Sequence, residues 1–145
     1  MTAGGSQPAM ADADNDGGTE QHQAIQVLVA RFVDDELLPL EPTLLDRNAR
    51  GEALLLTDAE LAPLLRRARE LGLWGLDAPA EFDGHALPTM AMIGVLEELG
   101  RTIAPFVFPP DSPNLHMLKA TVSPAQRRKY LEPYARGELR SATAI

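Results

Sequence analysis

Leu61, Leu64, Leu65, Ala68 and Leu71 recur at the 3.6-residue spacing that an α-helix needs to bury one face, and no strand could place them on one side. Gly72 follows, where a helix C-terminus favours a left-handed residue without a Cβ. Leu73, Trp74 and Leu76 come next, three large apolar groups too close in sequence to leave in water, and Trp74 is expected beneath the two central helices. The run from Asp77 to Leu87, with Pro79 and Gly84, predicts a surface loop. A second helix is expected after Pro88, with Met92, Ile93, Leu96 and Leu99 on its buried face and Gly100 and Pro105 closing it. Two amphipathic helices joined by a long ordered loop predict an all-α helical bundle, and they supply a frame rather than a reactive site.

The flanks extend that bundle to about five helices. Residues 1–18 are mostly Gly, Ala and Asp with almost nothing to bury, which predicts a disordered N-terminal tail. From Thr19 a stripe of Ile25, Leu28, Val29, Phe32 and Val33 predicts a helix that Pro39 and Pro42 stop. Leu44 to Leu56 reads as a connector with a turn at Arg50-Gly51. Thr57 and Glu60 have capping-box spacing, with Pro63 an awkward third member that implies a kink or a later start. Ser112-Pro113 and Ser123-Pro124 each read as a cap followed by proline, the second with Gln126 completing a capping box. Pro133 is expected to interrupt that last helix, Arg136-Gly137 to turn, and Leu139 to Ile145 to open a short extended segment.

Composition closes off several functions. A formal net charge of −8 disfavours nucleic acid as a partner. The absence of cysteine removes disulfides and thiolate metal sites. No apolar run approaches the roughly 20 residues of a membrane span, and the N-terminus lacks the pattern of a signal peptide, so a cytoplasmic location is expected. His22, His85 and His116 have no metal-ligand spacing, and no metal site is expected. Arg127-Arg128-Lys129 reads as the wet face of a helix. Glu97 and Glu98 point about 100° apart on a helix and cannot flank one substrate atom. Met90, Met92 and Ile93 read as core rather than as a cofactor box. Neither a phosphate-binding glycine loop nor a nucleophile elbow is present, so no catalytic residue is legible.

Four runs nevertheless point further: ELGLWGL, the P-x-x-F-x-G loop at Pro79 to Gly84, GVLEELGR, and QRRKYLEPYARGELRSATAI. Together they resemble the N-terminal domain of acyl-CoA dehydrogenases. That family joins an N-terminal helical domain to a middle β-domain and a C-terminal four-helix bundle, with FAD and the acyl-CoA thioester between them. A glutamate base takes the α-proton and the flavin takes the β-hydrogen as hydride, giving a trans-2-enoyl-CoA. The resemblance implies that residues 19–138 form the helical domain, a wall of the substrate and flavin cleft, and that 139–145 begin the middle domain. It implies flavin contact at Thr143, Ala144 and Ile145, and acyl-CoA contact at Phe108, Asp111, Leu115 and Leu118. No position matches the catalytic glutamate, so the chain alone is expected to be inactive and to hold FAD weakly or not at all. A homo-oligomer and a role in fatty acid metabolism are implied for the complete protein.

Three positions depart from the pattern. Asp83 and Ala86 stand where the family's loop has glycines, and are strained if either needs positive φ. Val122 replaces a glycine before the Ser123 cap. The chain reads as a truncated dehydrogenase; the alternative is a non-catalytic helical interaction module that assembles with a complete dehydrogenase-like subunit. Either reading leaves Phe106, Val107, Phe108, Leu115 and Leu118 to face water unless other domains cover them.

Overall fold

In the computed structural model, which describes residues 15–141, helix α1 (Asn15–Phe32) buries Ile25, Val29 and Phe32 with Leu28 packed beside them. The helix already includes Asn15 to Gly18, which the composition assigned to the tail; the rest of that tail lies outside the described residues. Pro39 and Pro42 do not end the run. A π-turn at Val33–Leu37 and a 3-10 turn at Leu38–Leu40 carry it into α2 (Glu41–Ala49). The Leu38 N–H donates to the Val33 carbonyl five residues back. This widened turn makes room for the Pro39 ring, which would press on the preceding carbonyl of a regular helix. The supposed connector is therefore half helix, and Leu44 within it is fully buried.

Helix α3 (Asp58–Glu70) starts where its cap predicts. Thr57 and Glu60 exchange both capping-box hydrogen bonds, and Pro63 is held inside the helix on an exposed turn. Leu64 and Ala68 are buried, with Leu61, Leu65 and Leu71 packed alongside, as the stripe requires. Gly72 adopts φ 71° and ends the helix.

Helix α4 (Thr89–Leu99) packs on α1. Its buried residue is Val95, flanked by half-buried Met92 and Leu99, whereas Ile93 and Leu96 are 42% and 58% exposed. The helix is apolar on more than one side, and contact with α1 selects the Val95 side. Gly94 permits the approach, since a Cβ there would come within 3.0 Å of the Gln26 side chain.

Helix α5 (Ser112–Thr121) has Asp111 rather than Ser112 at its N-cap position, with no side-chain cap hydrogen bond and with Pro113 still in the first turn. The last run joins α6 (Pro124–Gln126), a π-turn at Arg127–Leu131 and α7 (Glu132–Ala135). Ser123 and Gln126 form the expected capping box. Glu132 donates to the Arg127 carbonyl just before Pro133, repeating the accommodation seen before Pro39. Among the described residues the result is all-α, with five helical runs and no strand. Leu139, Arg140 and Ser141 lie outside any helix, and the strand-prone Thr143 to Ile145 fall outside the described residues.

Two cores form. The larger joins α1 to α4 and centres on Phe32, Phe106 and Phe108, whose ring centroids are all 5.2 Å apart. The smaller gathers Ala78, Leu115, Leu131, Tyr134 and Ala135. The loop between α3 and α4 links them: Leu73 and Leu76 enter the first core and Ala78 the second. Its arms are zipped, with Ala86 N–H donating to the Ala78 carbonyl (3.0 Å) and Leu87 N–H to that of Leu76 (2.8 Å).

Candidate functional site

Four prolines, Pro105, Pro109, Pro110 and Pro113, prevent the segment after α4 from becoming helical. It runs as a ridge in which Phe106 and Phe108 point into the core and Val107 between them is 64% exposed. The Gly75 N–H fixes the ridge by donating to the Pro109 carbonyl (2.8 Å). A cleft opens on each side.

The first cleft, about 290 Å³, lies between the ridge, Leu61 and Leu65 of α3, Trp74, Tyr134 and the segment Leu139 to Ser141. The second, about 310 Å³, lies between the ridge, Leu76 and the Met92, Val95, Leu96 and Leu99 side of α4. Val107, Pro110 and Asp111 line both. Each cleft has mainly apolar walls and only a few polar groups, the composition of small-molecule sites.

Trp74 is half-buried and belongs to the first cleft, not to the α3–α4 interface where the sequence placed it. Its indole N–H donates to the Ala135 carbonyl (3.1 Å), and the Arg69 guanidinium lies 3.5 Å over its ring. Gly137, at φ 76°, closes against the indole, and a Cβ there would collide with it. Arg69 also donates to the Arg136 carbonyl, so α3 grips the end of α7.

Polar groups in the first cleft satisfy one another. Tyr134 Oη donates to the Asp111 carbonyl (3.1 Å) and accepts from Ser141 Oγ (3.0 Å). Asn114 Nδ2 donates to Asp111 Oδ2 (2.8 Å) and to Ser141 Oγ (3.0 Å). Arg140 pairs with Asp58 at 3.2 Å in an exposed setting. Farther out, Glu81 binds Lys119 (2.6 Å) and Arg127 (2.8 Å), and these cations, Lys119 first, hold its carboxyl below the usual range. Arg127 is thus a clasp between loop and last helix, while Arg128 and Lys129 stay exposed as a wet face does. His85 meets the Gly72 carbonyl (2.8 Å), and no cluster of three metal-ligating side chains occurs among the described residues.

The residues singled out by resemblance divide. Phe108 and Asp111 reach the clefts, Phe108 the second and Asp111 both. Leu115 is fully buried in the smaller core, and Leu118 packs half-buried against it, so neither lines a cleft. Thr143, Ala144 and Ile145 lie outside the described residues. Trp74, Val107, Tyr134 and Ser141 were not among the expected acyl-CoA or flavin contacts. Only their convergence in three dimensions marks them, because they come from four separate segments.

No described helix is long and apolar enough to cross a membrane. Residues 19–138 match the family model for the acyl-CoA dehydrogenase N-terminal domain. The chain is 36% identical to (R)-benzylsuccinyl-CoA dehydrogenase of Thauera aromatica, an alignment covering 86% of this chain and 32% of that protein. It is 25% identical to 3-(aryl)acrylate reductase of Clostridium sporogenes, over 88% of this chain and 32% of the relative. A solved structure assigned to an acyl-CoA dehydrogenase of Mycobacterium abscessus superposes with a TM-score of 0.64 at 30% identity, over 86% of this chain and 33% of that one. The chain thus spans about a third of the length of the proteins it matches. Fold, motifs and matched residues agree, and the chain belongs to the acyl-CoA dehydrogenase family as its N-terminal domain.

Proposed function

We propose that this domain serves an FAD-dependent acyl-CoA dehydrogenase that converts acyl-CoA thioesters to trans-2-enoyl-CoA, and that it contributes a helical wall against which the acyl group lies. The observation that carries this reading is the pair of apolar clefts sharing Val107, Pro110 and Asp111. Phe108 and Asp111 contact the acyl part directly, while Leu115 and Leu118 hold α5 in place behind them. An aryl-bearing acyl group is the favoured substrate class. Two relatives carry an aryl group in their names, and two short clefts split by a proline-stiffened ridge suit a compact ring better than a long chain.

FAD, when bound, accepts the hydrogens removed from the substrate. The described residues do not form a complete cradle for it. The cleft's Tyr134, Ser141 and Trp74 donors are already engaged, and Arg140, its one cation, is paired and exposed. Flavin contact at Thr143, Ala144 and Ile145 remains part of the proposal, with the rest of the cradle on other domains. The chain alone is expected to be colourless and inactive.

The test is a ¹⁵N-¹H titration of the chain with 3-phenylpropionyl-CoA, with free coenzyme A as control. The thioester should shift amides from Val107 to Asn114 and lower Trp74 emission, while free coenzyme A should not. Shifts absent from the ridge, or equal with both ligands, would overturn the reading.

A further inference from the structure

We propose that Tyr134 is a positioning residue, whose hydroxyl couples the ridge between the clefts to the segment leaving α7. Its functional meaning rests on the reading that Thr143 to Ile145 reach the flavin. Asp111, Tyr134, Ser141 and Asn114 form a closed ring of hydrogen bonds: Tyr134 to the Asp111 carbonyl, Ser141 to Tyr134, Asn114 to Ser141, and Asn114 to the Asp111 carboxylate, all between 2.8 and 3.1 Å. Its members come from the ridge, the first turn of α5, the last turn of α7 and the exit segment. Tyr134 is 5% exposed, so water does not readily replace the partners of its hydroxyl.

Other contacts hold the exit segment poorly. Leu139 is 42% exposed, and the Arg140–Asp58 pair is exposed on both sides and so nearly worthless as an anchor. The aromatic ring of Tyr134 packs in the smaller core with Leu115 and Leu131, and phenylalanine would fill that space equally well. The hydroxyl is therefore separable from the packing. Ser141 stands two residues before Thr143.

The experiment measures backbone ¹⁵N order parameters in the 145-residue chain and in Tyr134→Phe, Ser141→Ala, Ser141→Thr and Val29→Ala variants. In the parent and in Ser141→Thr, which keeps the hydroxyl, amides 139–141 should sit near about 0.85. In Tyr134→Phe and Ser141→Ala they should fall below about 0.6, with helical amides unchanged. Val29→Ala, in the other core, should lower Tm without moving these amides. The inference is overturned if amides 139–141 are already flexible in the parent or unaffected in Tyr134→Phe and Ser141→Ala. It is also overturned if Val29→Ala loosens them equally. No flavin or thioester enters this readout, so it succeeds or fails independently of the titration above.

Discussion

Ala86 adopts φ 50° and Asp83 φ 57°, both in the left-handed region that glycine adopts freely and alanine only under strain. Comparison with the family's glycine-rich loop flags both positions from sequence, and the zipped arms of the loop explain why the conformation persists. Ala86 must turn left-handed for its N–H to reach Ala78 while Leu87 reaches Leu76. Left-handed backbone costs an alanine about 1–2 kcal/mol. Glycine would lose about 0.5–1 kcal/mol more on ordering. Ala86→Gly should therefore stabilise the chain by up to about 1.5 kcal/mol, read as a higher urea midpoint at unchanged slope. A lower midpoint would mean that the left-handed geometry is not a source of strain. Asp111 shows where residue-level reading slips. Aspartate and serine both cap well, and proline is accepted at either of the first two helical positions, so sequence leaves the start of α5 uncertain by one residue.

Helix existence is more legible than helix boundaries, because periodicity survives at the scale of an element while proline rules have exceptions. Two helical runs pass through prolines that should have ended them, each after a π-turn that no residue pattern announces. The join between α2 and α3 was equally hidden, since Arg47 and Glu60 are 13 residues apart with a turn between them. Glu60 accepts from the Arg47 guanidinium and from the Thr57 N–H and hydroxyl, and these bonds, Arg47 first, lower its pKa from 4.5 to about 2. A carboxyl depressed in the folded state stabilises above its unfolded pKa and loses that contribution as pH falls through the folded value. The window is therefore pH 4.5 down to about 2. Glu60→Gln should be clearly less stable than the parent at about pH 6, and the gap should narrow as urea titrations approach pH 2. A gap constant across that range would show that Glu60 acts through packing or capping geometry, not through its charge.

At the scale of the whole molecule, sequence suggested that Phe106, Phe108 and Leu115 would be stranded in water without further domains, yet all three are inside this domain's own cores. Alternation explains the difference: along the ridge, every second residue faces inward, so only Val107 of the Phe106 to Phe108 run is left outside. What stays exposed still converges. Val107, Leu96 and Leu139, at 64%, 58% and 42% exposure, border the two clefts and make one apolar face around the ridge. The clefts themselves were not legible, because their walls come from α3, α4, α5, α7, the loop between α3 and α4, the ridge and the exit segment. A domain that fills its own cores should fold alone, while this face should make it self-associate. The net charge of −8 opposes contact between copies, but salt at about 0.15 M screens it beyond roughly 8 Å. Size-exclusion chromatography across a concentration series should therefore show apparent mass rising with concentration. Val107→Asp should shift the chain towards monomer at little cost in Tm, because that side chain is already mostly in water. A monomer peak that stays sharp at every concentration would instead favour a self-sufficient interaction module over a domain whose ridge face is normally covered.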